Sequence, residues 1–136
     1  MKHHFTCQIK KTWNKFTLDV SFQIPQGKIT ALFGPSGAGK SSTLRIISGL
    51  EKADEGTISH REDIWFDKAQ RIHLPPQQRS IGFVFQDFAL FPHLTVEKNV
   101  AYGIKEKKRL KEIKDFIALV GLSGYERHYP HQLSGG

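Results

Sequence analysis

The sequence has one cysteine, no hydrophobic run of membrane-spanning length and fewer acidic than basic residues. The single cysteine, Cys7, excludes an intrachain disulfide and is typical of a protein in a reducing compartment. Residues 1–11 lack the apolar core of a signal peptide. These absences predict a cytoplasmic protein without a transmembrane segment, whose contact with a membrane would be made through a partner.

The basic excess is 20 lysines and arginines against 13 acidic residues, a formal net charge of +7. Such a charge suits an anionic ligand, a nucleic acid or an acidic membrane surface. No RNA- or DNA-binding motif is present, so the sequence predicts no nucleic-acid partner. With 136 residues, 38% of them hydrophobic, the chain is long enough for about one domain with its own core.

One motif carries chemistry by itself. Residues 34–41 read GPSGAGKS and match G-x-x-x-x-G-K-[ST], the phosphate-binding loop. The preceding residues, 28–33, are apolar and β-branched, which predicts a buried strand. A helix is predicted after the loop, over residues 42–50, with one face formed by Leu44, Ile47 and Leu50.

The residue types of this motif follow from what a phosphate needs. Glycines let consecutive backbone N–H groups curl around the phosphate oxygens, and the following helix adds its own free N–H groups and the positive end of its dipole. Lys40 is expected to reach the β- and γ-phosphates, and the Ser41 hydroxyl to bind Mg²⁺. The candidate nucleotide-binding residues are Gly34, Pro35, Ser36, Gly37, Ala38, Gly39, Lys40, Ser41 and Ser42.

Other segments place this motif in a fold. Residues 3–24 and the pair 57–59 and 64–66 have the pattern of strands. Residues 81–85 form a nearly continuous apolar run, which predicts a strand buried on both faces. It ends at Gln86 and Asp87, which are either site residues at a strand's carboxyl end or an ordinary turn, and spacing alone does not decide between these.

The last third of the chain is predicted to be helical. Residues 88–94, here called the apolar loop, carry several large hydrophobic side chains, which predicts either packing on the core or an exposed contact surface. Thr95 is expected to cap a helix. A basic amphipathic helix is predicted from about residue 105 until Gly121 ends it.

Three motifs in order now identify a family. GPSGAGKS at 34–41, VFQD at 84–87 and LSGG at 133–136 together resemble the nucleotide-binding subunits of ATP-binding-cassette (ABC) transporters, over essentially the whole chain. The sequence around these motifs is similar to that of the importer subfamily that includes the molybdate ATPases. Sulfate, iron and polyamine import ATPases share parts of the same sequence pattern.

The resemblance implies roles for particular residues. Gln86 would approach the Mg²⁺ and the attacking water and couple the site to the membrane subunit, with Lys40 acting on the phosphates. Trp13 would stack on adenine, with Phe16 as the alternative. Ser134 and Gly136 would contact the γ-phosphate of ATP held by a second, head-to-tail ATPase subunit. The site residues implied, beyond residues 34–42, are therefore Trp13, Gln86, Ser134 and Gly136.

The resemblance also implies an architecture and partners. The fold would be α/β, a P-loop NTPase (ABC ATPase) core with an N-terminal antiparallel β part over residues 1–94 and a helical subdomain over 95–136. ATP and Mg²⁺ would be the cofactors. An integral membrane permease would contact residues 86–93, which places the protein on the cytoplasmic side of the inner membrane.

One part of the family pattern is expected beyond residue 136. The Walker B strand, with its Mg²⁺-binding Asp and adjacent Glu, and the switch histidine have no counterpart in this sequence. The resemblance therefore implies a C-terminal portion that is missing, a chain that hydrolyses little ATP alone, and apolar strand faces left uncovered.

Three other readings remain open at this point. The chain could be a non-catalytic, nucleotide-binding gene fragment. It could be a different P-loop enzyme such as a small-molecule kinase, which the co-occurrence of VFQD and LSGG argues against. It could also be an ABC protein without a membrane partner.

Overall fold

An antiparallel sheet of five strands organises the N-terminal part of the chain. The structure, a computed structural model, describes residues 3–87, 89–104 and 107–133. The strand order across the sheet is β2-β1-β3-β4-β5. The strands are β1 (His3–Trp13), β2 (Phe16–Pro25), β3 (Glu55–His60), β4 (Asp63–Asp67) and β5 (Ile72–His73).

The strands expected at 3–24 and near 57–66 are confirmed. In β2, Leu18 is buried while Thr17 and Asp19 face solvent, which is the period of a strand with one covered face. β1 pairs with β2 from Trp13↔Phe16 at the hairpin end, and with β3 through Cys7↔Ile58. The sheet therefore presents its apolar side to a single core.

Three helices are described. They are α1 (Lys40–Ser48), α2 (Val96–Ala101) and α3 (Ile113–Leu119), and short 3₁₀ segments cover Pro76–Gln78, Lys107–Glu112 and Pro130–Gln132. Thr95 caps α2 as expected, because its side chain accepts a hydrogen bond from the Lys98 amide at 3.4 Å. The sequence predicts a long amphipathic helix from residue 105; residues 105 and 106 lie outside the described residues, and from Lys107 the chain forms a 3₁₀ segment followed by α3.

The core of the sheet region includes one helix. Ile46 of α1 is buried with side chains from β1, β2, β3 and β4. The predicted face of this helix differs, since Leu44 and Leu50 are exposed and Thr43 and Ile46 are buried. The buried core residues are Cys7, Ile9, Leu18, Ile46, Ala53, Ile58, Trp65 and Phe66.

The chain forms two compact units, Met1–Phe83 and Val84–Gly136. The second unit has its own small core of Val96, Ile113 and Ile117, against which Leu122 and Leu133 pack. Within the described residues, no helix combines the length and the apolar character needed to cross a membrane. The domain boundary expected at 94/95 stays a prediction.

Two predicted strands are wrong. Residues 28–33 and 81–85 have no strand structure, and Ile29, Phe33 and Val84 are almost fully exposed. A strand needs a neighbour for its backbone N–H and C=O groups, and the described residues provide no strand that pairs with either segment. Both segments are apolar, but an apolar composition alone does not supply a pairing partner.

Candidate functional site

The phosphate loop connects the exposed segment 28–33 to helix α1. Gly37 and Gly39 adopt left-handed conformations, with φ of 79° and 85°, and Gly39 is the N-cap of α1. The Ala38 amide donates to the Pro35 carbonyl at 3.3 Å. The loop is therefore a tight turn that runs directly into a helix N-terminus, which is the arrangement the motif requires.

Gly39 could not be another residue without disturbing this turn. A Cβ at this position would lie 2.8 Å from Cδ1 of Leu18 and 3.3 Å from the ring of Phe16. Both neighbours belong to β2, so the sheet packs directly against the end of the loop. The left-handed φ and this close approach each favour glycine.

Lys40 directs its charge onto the loop. Its Nζ donates to the carbonyl oxygens of Gly34 at 2.8 Å and Pro35 at 2.6 Å. These two contacts hold the ammonium group over the curled backbone, where phosphate oxygens would need a cation. The predicted contact of Lys40 with the β- and γ-phosphates stays a prediction.

The start of α1 offers further donors. No side chain among the described residues caps this N-terminus, so the amides of the first turn face outward with the positive end of the helix dipole. The Ser41 side chain is exposed and Ser42 is half-buried. Thr43 serves the fold instead, since its buried hydroxyl donates to the Gly39 carbonyl at 2.9 Å.

An aromatic pair lies at the β1–β2 turn. Trp13 and Phe16 stack with ring centroids 5.8 Å apart and planes 24° from parallel. Lys11 places its Nζ 5.8 Å from the Trp13 ring centroid. Phe16 also approaches Gly39, so this pair lies at one side of the phosphate loop. The two residues predicted as alternatives for stacking on adenine are therefore in contact with each other.

Arg79, which the sequence analysis missed, holds the other end of α1. Its side chain is 3% exposed, and its guanidinium donates to the carbonyls of Ile46 at 2.9 Å and Ile47 at 2.5 Å. Leu74 and Trp65 supply two more acceptor carbonyls, at 2.9 and 3.3 Å. Burial lowers the pKa of Arg79 from its usual value, and the negative end of the helix dipole favours its charge.

The approach of Arg79 explains another glycine. A Cβ at Gly49, the C-cap of α1, would lie 2.9 Å from the guanidinium carbon. Arg79 directly follows the short polar run Pro-Pro-Gln-Gln, a sequence that is typical of a solvent-exposed loop. No local signal distinguishes this buried arginine from the other 5 arginines and the 14 lysines of the sequence.

The remaining predicted site residues lie in the second unit. Gln86 and Asp87 form an exposed turn. Leu133 of the LSGG motif is half-buried against Val96, Ile113 and Ile117. Phe88, Ser134 and Gly136 lie outside the described residues, so their predicted roles stay predictions.

Within the described residues, the other reactive groups form no further candidate site. Cys7 is fully buried, and burial raises the pKa of its thiol to about 12, so it is no nucleophile at neutral pH. The described part of the chain holds no group of three or more His, Cys, Asp or Glu side chains placed to bind a metal. A Mg²⁺ ion that arrives with phosphate oxygens needs fewer protein ligands, and the exposed Ser41 hydroxyl fits that need.

Sequence comparison places these features in a family. A family model described as ABC transporter matches residues 17–136. The sulfate/thiosulfate import ATP-binding protein CysA of Mycolicibacterium paratuberculosis is 52% identical over 122 residues, covering 86% of this chain and 32% of that protein. The molybdenum import ATP-binding protein ModC of Pasteurella multocida is 44% identical over 128 residues, covering 94% and 36%. The chain thus spans about a third of the length of these relatives.

Solved structures agree with this match. The dimeric structure of MJ0796, a bacterial ABC transporter cassette, has a TM-score of 0.72 and 28% identity over 96% of this chain and 63% of that chain. The same cassette in a post-hydrolysis state bound to ADP and Pi has a TM-score of 0.70 and 27% identity, covering 96% of this chain and 63% of that one. The antiparallel sheet, phosphate loop and short helices are therefore an arrangement found in solved nucleotide-binding cassettes.

Proposed function

This chain belongs to the ABC transporter ATPase family, and on that premise we propose that it is the ATP-binding part of an importer subunit. The observation that carries the proposal is the phosphate loop. Lys40 is held over the loop by two carbonyls, and the uncapped start of α1 follows directly. A triphosphate placed there would receive backbone N–H groups and one lysine charge.

The proposed nucleotide site extends from the loop to the aromatic pair. The base would stack on Trp13 or Phe16, and the phosphates would lie on residues 34–42, with Mg²⁺ on Ser41. In this proposal the loop residues bind the nucleotide and neutralise the charge of its phosphates. The free energy for transport comes from the hydrolysis of ATP. Support comes from the position of Phe16, whose ring lies beside Gly39 of the phosphate loop.

The second unit would contribute further residues to ATP sites, and the LSGG motif would do so in a second subunit. Gln86 would contact Mg²⁺ and the attacking water, and Ser134 and Gly136 would contact the γ-phosphate of ATP on a partner ATPase. Support comes from the family match and from the dimeric cassette to which the chain is similar. A head-to-tail dimer then binds ATP between two such chains.

The proposed transported substrate is an oxyanion. Relatives named for sulfate/thiosulfate import and for molybdenum import both match this chain closely, and molybdate and sulfate are the two candidates. The permease would contact residues 86–93 from the cytoplasmic side of the inner membrane. Uptake of labelled sulfate and labelled molybdate by cells lacking the gene, with and without its restoration, would separate the two substrates.

The 136 residues alone are expected to bind nucleotide weakly at best and to hydrolyse it at no appreciable rate. They hold no aspartate–glutamate pair after an apolar strand, so nothing in them polarises water in the manner of a catalytic carboxylate. ATP hydrolysis at a normal rate by the purified polypeptide, lost in Lys40→Ala, would contradict this expectation.

The test of nucleotide binding is titration of the purified chain with a fluorescent ATP analogue. Removing the lysine charge in Lys40→Ala should weaken binding about 10- to 100-fold, because charge-assisted hydrogen bonds contribute about 1.5–3 kcal/mol each. The control is Lys68→Ala, an exposed lysine elsewhere on the same unit, which should bind as the wild type does. Equal loss in both variants would indicate a non-specific charge effect and would contradict the site.

A further inference from the structure

Asn99 makes an unusual set of contacts with the chain that precedes its own helix. Its Oδ1 accepts a hydrogen bond from the Phe91 amide at 2.9 Å. Its Nδ2 lies within hydrogen-bond distance of three carbonyl oxygens, those of Phe91 at 3.1 Å, Leu94 at 2.9 Å and Thr95 at 3.1 Å. One half-buried side chain thus binds both ends of the segment 91–95.

These contacts are not needed to start helix α2. The Thr95 side chain already accepts from the Lys98 amide. The amides of Val96 and Glu97 donate to the carbonyls of His128 at 2.8 Å and Glu126 at 3.0 Å. Because the first turn is satisfied in these ways, the Asn99 side chain acts on the apolar loop rather than on the helix.

The loop that Asn99 binds presents apolar surface. The Phe91 ring packs on Tyr102 with centroids 4.2 Å apart. Leu90, which directly precedes Phe91, and Tyr102, the C-cap of α2, nevertheless remain 57% and 66% exposed. An exposed apolar surface on an ordered loop is typical of a binding site for another protein.

We propose that Asn99 is a positioning residue that holds residues 91–95 in the conformation in which Leu90 and Tyr102 contact the permease. The inference rests on the proposed function, because the permease is the partner proposed there for residues 86–93. Preforming the loop lowers the ordering cost of association, so its loss should weaken binding without removing any contacting side chain.

The first measurement needs no partner. Amide hydrogen exchange of Phe91, followed by NMR in the 136-residue chain, should be about 5- to 30-fold faster in Asn99→Ala, which loses the acceptor. Asn99→Asp keeps an acceptor for Phe91 but loses both side-chain donors, so it should protect this amide while the Leu94 carbonyl loses its side-chain partner. Lys98→Ala, the exposed neighbour on the same helix, is the matched control and should exchange like the wild type.

The second measurement is affinity for the permease of the same transporter, purified in lipid nanodiscs, using the full-length ATPase subunit. Asn99→Ala should bind about tenfold more weakly than the wild type, with Asn99→Asp intermediate and Lys98→Ala unchanged. Melting curves of each variant show whether the fold is retained. A purely structural role would lower the melting temperature but would not make permease affinity follow loop protection across the series.

The outcomes separate the inference from the function it rests on. Unchanged exchange at Phe91 in Asn99→Ala would overturn the positioning role directly. Faster exchange with unchanged permease affinity would overturn the role in docking alone. A wild-type subunit that bound no permease would overturn the proposed partner and the docking role together, and the exchange data would still decide whether Asn99 orders the loop.

Discussion

Single residues decide how the phosphate loop meets the sheet. Lys40 and the glycines follow a motif that sequence shows, but Phe16 and Leu18 approach Gly39 only because β2 folds over the loop. The Trp13–Phe16 stack likewise depends on the register that pairs these two residues at the hairpin end. The motif identified the loop, and the sheet supplied its neighbours.

Gly39→Ala tests that contact. The new Cβ would meet Leu18 at 2.8 Å in a left-handed backbone conformation, so we expect a loss of about 1–3 kcal/mol in the free energy of unfolding, measured by urea denaturation. Gly27→Ala is the matched control, since Gly27 has φ of 68° but nothing within 4 Å of its Cβ position. Equal losses at both positions would mean that backbone strain alone is responsible and that the packing of β2 on the loop contributes nothing.

At the scale of elements, α1 is held at both ends by different means. Its N-terminus continues the phosphate loop, while Arg79 binds the carbonyls at its C-terminus and reaches across to β4 through the Trp65 carbonyl. The sequence predicted the helix but placed its apolar face on Leu44 and Leu50. Burial instead follows Thr43 and Ile46, because the sheet contacts the helix from that side.

Arg79→Met tests the role of the buried cation in holding α1. The substitution keeps a linear but shorter side chain and removes all four guanidinium hydrogen bonds, including the one to the Ile47 carbonyl. We therefore expect a loss of about 3 kcal/mol or more in the free energy of unfolding. Arg79→Lys should lower the free energy of unfolding less than Arg79→Met does, but still below the wild-type value. A single ammonium group cannot donate to all the carbonyls that the planar guanidinium reaches.

The matched control for Arg79 is Arg71→Met, which removes an exposed charge from the same unit. Surface substitutions of this kind stay within about 0.5 kcal/mol. Chemical denaturation of the three variants gives the comparison. A loss at Arg71 as large as at Arg79 would show that net charge, rather than the buried hydrogen bonds, sets the stability.

At the scale of the whole molecule, the chain exposes apolar segments that its sequence predicts to be buried. Ile29 and Phe33 are almost fully exposed in the first unit, and Val84 is 82% exposed in the second. Contiguous exposed hydrophobic side chains promote association. The isolated polypeptide should therefore bind hydrophobic dyes and self-associate as its concentration rises.

The double variant Ile29→Thr, Phe33→Ser should reduce dye binding and self-association while leaving the melting temperature nearly unchanged, since neither side chain loses buried area. Dye fluorescence, analytical ultracentrifugation and thermal melting measure the three quantities. Ile9→Thr, at a position 1% exposed, is the comparison and should destabilise the fold. A large drop in melting temperature for the double variant would contradict the exposure of these segments.

The sequence by itself determined the family, the phosphate loop, the hairpin strands and the capping of α2 by Thr95. Each rests on local chemistry: a glycine pattern, alternation of apolar residues, or a hydroxyl before a helix. Only the tertiary structure decided the contacts of Arg79 and Asn99 and the absence of strand structure at residues 28–33 and 81–85. Hydrogen bonds to distant carbonyls and the presence of a pairing strand depend on which elements meet in space, and no local pattern encodes that.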